Sequence, residues 1–83
     1  MNHDEARKLV LNFLAPQLGG HTPAEDDDIF ALGYVNSLFA VQLAVFVEKA
    51  TGTELGPDDM DFENFRTTGG LVRLITSKTA TAA

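Results

Sequence analysis

The chain has 83 residues, with twelve acidic and six basic side chains and a net charge of −6 when histidine is neutral. One domain, residues 1–83, fits that length, and a chain so short buries only roughly 60% of its unfolded surface. The acidic balance argues against nucleic acid, which is held by clustered lysine and arginine. A 45% hydrophobic content excludes a disordered chain, and the absence of cysteine excludes disulfides, cysteine-ligated zinc and a thiol nucleophile.

Residues 4–18 carry Ala6, Leu9, Val10, Phe13 and Leu14 on one helical face, with Arg7, Lys8 and Asn12 opposite. Pro16 and the pair Gly19-Gly20 predict that this helix frays or stops near its C-terminal end. Residues 19–36 show neither a helix nor a strand period. A connection this long is functional or disordered in most compact domains. Ile29, Phe30 and Leu32 favour an ordered loop, because they offer apolar anchors behind the acidic run Glu25-Asp26-Asp27-Asp28. That run itself reads most simply as a solvated turn.

A second helix is expected from Ser37 to about Ala50, with Asn36 as its N-cap and Gly52 as its stop. On a wheel of about 100° per residue it has two apolar faces. Phe39, Leu43, Phe46, Val47 and Ala50 form a broad face expected in the core. Leu38, Val41 and Val45 form a second strip among Gln42, Glu48 and Lys49. So small a chain cannot easily bury both faces, which makes the strip a candidate partner surface. Pro57-Asp58-Asp59 predicts a short helix holding Met60, Phe62 and Phe65. Thr67 or Thr68 can cap a last helix bearing Leu71, Val72, Leu74 and Ile75, with Gly69 and Gly70 as poor first-turn residues that alanine should improve. Residues 76–83 are expected to form a frayed, flexible tail. The predicted architecture is all-α: three principal helices, one short one and a long first loop.

Catalytic and metal-binding patterns are scarce. His3 and His21 stand alone in polar surroundings. A calcium loop beginning at Asp26 would need a ligand where Phe30 stands, and one beginning at Asp59 would need a carboxylate where Gly70 stands. There is no glycine-rich phosphate cradle and no Ser/His/Asp pattern, so the expectation is a chain with no active site and no metal of its own. Ser37 is different. It opens a helix directly after an N-cap residue, where an attached anion would meet the positive end of the helix dipole. Composition alone favours a helix-start serine with no further role.

The segment Asp28-Ile29-Phe30-Ala31-Leu32-Gly33-Tyr34-Val35-Asn36-Ser37-Leu38 resembles the phosphopantetheine-attachment region of acyl carrier proteins. Their pattern is an acid, an apolar pair, Leu-Gly, two variable residues and Asp-Ser-Leu. Downstream, Val41, Leu43, Val47, Glu48 and Gly52 are similar to the family's second helix and its end. The family usually has Asp before the serine. Asn36 here is an equivalent N-cap with one negative charge fewer.

The resemblance implies a four-helix carrier fold and a 4′-phosphopantetheine arm on Ser37, supplied from coenzyme A by a phosphopantetheinyl transferase. It implies a non-catalytic chain, served by enzymes that load, modify and accept an acyl thioester. Residues 33–40, together with Asp61-Phe62-Glu63-Asn64-Phe65-Arg66, are similar to a narrower group of discrete carriers. These make methoxymalonyl-type extender units for polyketide synthases, with hydroxymalonyl as an intermediate. A fatty-acid or aminoacyl carrier remains open, as does a helical interaction module without a prosthetic group, or a small regulatory domain binding a basic partner through residues 25–28. The polar start of the chain is unlike a secretory leader and no apolar stretch has transmembrane length, so a cytoplasmic monomer with no membrane partner is expected.

Overall fold

The computed structural model describes residues 1–82, with side chains described through Thr79. Its α-helices are α1 (His3–Leu18), α2 (Ser37–Thr51) and α3 (Thr68–Ala82), with two 3₁₀ turns, Pro57–Met60 and Phe62–Asn64, before α3. The all-α expectation holds, and α3 packs against both α1 and α2.

α1 begins in a capping box. The Asn2 side chain accepts from Glu5 N at 2.8 Å and the Glu5 carboxylate accepts from Asn2 N at 3.1 Å. The helix runs through Pro16 and ends at Gly19, which takes the left-handed conformation at φ 59°. Leu18 is buried and holds the last turn down, whereas Pro16 is exposed. Ala6, Val10, Leu14 and Leu18 are the buried face; Leu9, expected there, lies at its exposed edge.

The core of α2 is narrower than the wheel predicted. Leu43, Ala44 and Val47 are buried, while Phe39, Phe46 and Ala50 are half-buried. Phe13 of α1 stacks on Phe46 with ring centroids 4.3 Å apart and tilts against Phe39 at 5.6 Å. Gly52 ends the helix at φ 68°, its N–H donating to Glu48 O.

The predicted short helix is instead two separate 3₁₀ turns. Asp59 Oδ2 accepts from Gly56 N at 2.9 Å and Asp61 Oδ1 from Glu63 N at 3.0 Å, so side chains take backbone donors at both turn entries. Asp61 between the turns is extended, at φ −65° and ψ 130°. Of the three expected anchors, Phe65 is buried but Met60 and Phe62 are half-exposed, at 51% and 48%.

One expectation for α3 is overturned. Thr67 caps it, accepting from Gly70 N at 2.9 Å. But Gly69 and Gly70 are places of close backbone approach, not weak points. A Cβ at Gly69 would stand 2.8 Å from Glu25 O, and one at Gly70 would stand 2.8 Å from Glu63 O. Residues 76–82, expected as a frayed tail, carry on the helix. The helix continues to Ala82, with the Thr79 hydroxyl donating to Ile75 O at 3.0 Å and Lys78 paired to Asp59 at 2.6 Å. Ala83 lies outside the described residues.

The long loop is ordered by the segment that precedes α3. Asp28 pairs with Thr67 in an isolated antiparallel bridge, and Ile29 N donates to Arg66 O at 2.8 Å. Gly69 N donates to Glu25 O at 2.9 Å. Ile29 and Val35 are buried as loop anchors, whereas Leu32 is 58% exposed.

Candidate functional site

The end of the loop is folded onto its own beginning. Tyr34 N and Val35 N both donate to Ile29 O, at 3.1 and 3.3 Å, and Gly33 N donates to Phe30 O at 3.1 Å. Gly33 has φ 84°, a backbone state that strains any side chain, so the turn requires glycine there. This turn delivers Asn36 in extended geometry, and its Oδ1 accepts from Phe39 N at 3.1 Å as the N-cap of α2.

Ser37 is therefore the first residue of a fifteen-residue helix, and it is exposed. No acid stands in the first turn of α2, so nothing there offsets the positive helix end. An exposed hydroxyl in that field is a suitable anchor for a phosphodiester.

The sequence-derived strip lies along the same helix. Leu38 is 80% exposed, Val41 66% and Val45 43%. Val41, Gln42 and Val45 join Leu9 and Phe13 of α1 to line an open groove of about 730 Å³, with Phe46, Lys49 and Ala50 completing it. The contribution of α1 escaped the sequence reading, although Leu9 at the edge of its apolar arc is the kind of position that makes one. Glu48, counted with the strip in sequence, is half-buried, and its Oε2 accepts from Leu55 N at 3.0 Å. It holds the chain that leaves α2. Lys49 is then the charged residue that lines the groove.

A smaller cleft of about 270 Å³ is lined by Gln17, Gly33, Tyr34, Val35, Asn36 and Phe39. His21 lies near it, with its ring 6.5 Å from that of Tyr34. His3 is remote from Ser37 in sequence and pairs with Glu25 at 2.8 Å. Among the described residues no group of three or more His, Cys, Asp or Glu is placed to hold a metal ion.

Asp28, the acid that opens the motif, carries the loop's electrostatics. Its Oδ1 accepts from Ala31 N at 2.9 Å and Phe30 N at 3.0 Å, and its Oδ2 faces the Arg66 guanidinium. The Ala31 bond, with help from Arg66 and Phe30, holds this carboxyl below its ordinary value of 3.8.

The family profile described as "Phosphopantetheine attachment site" matches residues 8–75, well over half of the chain. The chain belongs to the phosphopantetheine-attachment family. No curated protein and no solved structure gives a match. A domain of this family is the site of covalent 4′-phosphopantetheine attachment, so that group is the chain's cofactor. Phosphopantetheine-attachment domains are in general non-catalytic carriers, served by a phosphopantetheinyl transferase and by acyl-handling enzymes. Among the described residues no helix is long and apolar enough to cross a membrane.

Proposed function

We propose that Ser37 bears the phosphopantetheine arm and that the chain is an acyl carrier. The acyl group rides as a thioester on the arm's thiol and passes between enzymes while the chain itself performs no chemistry. One observation carries the reading: within the matched region, an exposed serine opens α2 directly behind a capping asparagine and a turn that only glycine accommodates. In this reading acyl-handling enzymes meet the strip of Leu38, Val41, Gln42 and Val45, and the carrier works as a cytoplasmic monomer. Glu48 serves that surface indirectly, by holding the chain beyond α2.

The test is an intact mass. Incubated with coenzyme A and a broad-specificity transferase, the protein gains one phosphopantetheine and one titratable thiol. Ser37→Ala gains neither and keeps its helical circular dichroism. Modification of the Ala variant at another hydroxyl would overturn the assignment.

The pathway we assign is the making of methoxymalonyl-type polyketide extender units, through a glyceryl unit that is oxidised to hydroxymalonyl and methylated on the arm. The likeness of residues 33–40 and 61–66 to carriers of that group supports it. Holo-protein offered to a glyceryl-loading enzyme of that class gains a glyceryl mass. Loading by a fatty acyl or aminoacyl ligase instead, with no glyceryl transfer, would assign one of the other carrier types.

A further inference from the structure

Ser37, Val41, Val45 and Lys49 stand four residues apart on α2, so they follow one ridge along its surface. The last three of them line the groove that Leu9 and Phe13 line from α1. The groove thus starts one helical turn from Ser37. At a rise of 1.5 Å per residue, Lys49 lies about 18 Å along the helix from Ser37.

The chemistry offered changes along that ridge. Val41 and Val45 present apolar surface to solvent. Gln42, which also lines the groove, is exposed, and its amide can both donate and accept. Among the described residues no protein group bonds to that amide. Lys49 closes the series. Arg66 and Lys78 are held by carboxylates, but among the described residues Lys49 has no acidic partner, in a chain of net charge −6. The adjacent acid, Glu48, accepts from Leu55 N instead. A free cation at the end of an apolar groove is a place for an anion that arrives with a ligand.

A ligand that matches this order would be tethered one turn away. 4′-Phosphopantetheine runs from its phosphate through a dimethyl carbon and two amides to the thiol, alternating apolar and amide chemistry as the ridge does. An acyl group with a second carboxyl group, such as malonyl, adds a carboxylate beyond the thioester. We propose that the arm, loaded with a dicarboxylic acyl group, lies along this groove with its free carboxylate paired to Lys49. This rests on Ser37 being the attachment site, and it narrows the cargo to acyl groups that keep an anionic end. A fatty acyl group brings no anion to Lys49, and a protonated aminoacyl group brings a like charge. The groove is open and the ion pair exposed, so the arm is held weakly. An enzyme that covers Val41 and Val45 therefore displaces it and frees the cargo.

Priming the apo-protein with malonyl-coenzyme A or isovaleryl-coenzyme A tests it, because a broad-specificity transferase moves the acylated arm whole. The two acyl groups have the same shape and differ in charge. In NMR spectra, malonyl loading should shift the methyl signals of Leu9, Val41 and Val45. Lys49→Gln should shrink those shifts about threefold, the scale of an exposed charge pair. Isovaleryl loading should give the smaller shifts in both proteins. Hydroxylamine should cleave the malonyl thioester about threefold more slowly on the wild type than on Lys49→Gln, and the isovaleryl thioester equally on both. High salt should erase the malonyl difference. Intact mass confirms complete loading, and circular dichroism confirms that the variant is folded. If malonyl loading shifts nothing in the groove, or if Lys49→Gln changes neither readout, the cargo does not lie there. If isovaleryl is protected as well as malonyl, the groove does not select an anion and the inference fails. If the wild-type chain is primed at a residue other than Ser37, or not at all, it is the attachment assignment that fails.

Discussion

Asp28 and Arg66, 38 residues apart, meet over a single oxygen: Nε and Nη2 of the guanidinium reach Oδ2 at 3.0 and 2.9 Å. The other oxygen of Asp28 is filled by two backbone N–H groups of its own turn. One carboxylate thus shapes the turn that leads to Ser37 and fastens it to the segment that leads into α3. The Arg66 guanidinium, in turn, is held further toward its charged form by Glu63 and Asp28.

Acid should loosen this arrangement. Asp28 and Asp59 both have folded pKa values below the ordinary 3.8, Asp59 mainly through the hydrogen bond from Lys78. Groups depressed in the fold contribute stability above their unfolded pKa and lose it as pH falls through the folded value. Urea midpoints measured downward from neutral pH should hold steady to near pH 4 and then fall. In Asp28→Asn the midpoint should be lower at neutral pH and the fall below pH 4 shallower. An unchanged acid profile in that variant would show that Asp28 is not one of the linked groups.

The glycines before α3 give an expectation opposite to that of helix propensity. Propensity favours alanine at both positions by about 1 kcal/mol. The carbonyls of Glu25 and Glu63 stand 2.8 Å from where the new methyl groups would lie, and both belong to backbone that is itself hydrogen-bonded or tightly turned. Overpacking of this kind costs about 1–3 kcal/mol, so Gly69→Ala and Gly70→Ala should each lower the denaturation midpoint. A stabilised Gly69→Ala would mean that the loop at Glu25 yields easily.

These two cases divide what sequence can reveal from what it cannot. Asn36, Gly52 and Thr67 were legible because a cap acts within four residues of itself, and the apolar period of α1, α2 and α3 is likewise local. The approach of Gly69 to Glu25 and the clasp of Arg66 on Asp28 join distant segments, so neither leaves a mark in local spacing. The same holds for Leu9, which gains its role only when α2 lies beside it. Ser37 stands out by its place behind a cap and by the motif around it, both short-range features.

The N-cap in front of Ser37 can be weighed separately from the arm. Asn36→Ala removes the side-chain acceptor for Phe39 N and should cost about 0.5–2 kcal/mol. Asn36→Asp keeps the acceptor and adds a negative charge at a helix start that has no acid in its first turn, a gain of about 0.3–1 kcal/mol at low salt. Thermal or urea unfolding of the apo-protein checks both. If Asn36→Asp is the less stable of the two, the cap geometry is not what holds this end of α2.

Glu48 and the valines of α2 should separate cleanly in assays of acyl transfer. Glu48 is tied to Leu55 N, so Glu48→Gln keeps an acceptor there and should leave transfer nearly unchanged. Glu48→Ala leaves the Leu55 N–H without its partner and should cost about 0.5–1.5 kcal/mol in stability. Val41 and Val45 are exposed now and would be buried by a partner, where fully covering such a side chain contributes roughly 1.5–3 kcal/mol. Val41→Ala and Val45→Asp should therefore weaken transfer to or from acyl-handling enzymes more than Glu48→Gln does. Because Lys49 is the one charged residue lining the groove among the described residues, raising salt severalfold should alter that binding only modestly, exposed charge pairs contributing about 0–1 kcal/mol. Should Glu48→Gln prove the most damaging substitution, or should affinity collapse with salt, the acyl-handling enzymes read charge and not the apolar strip. Their docking would then centre on the loop acids, residues 25–28.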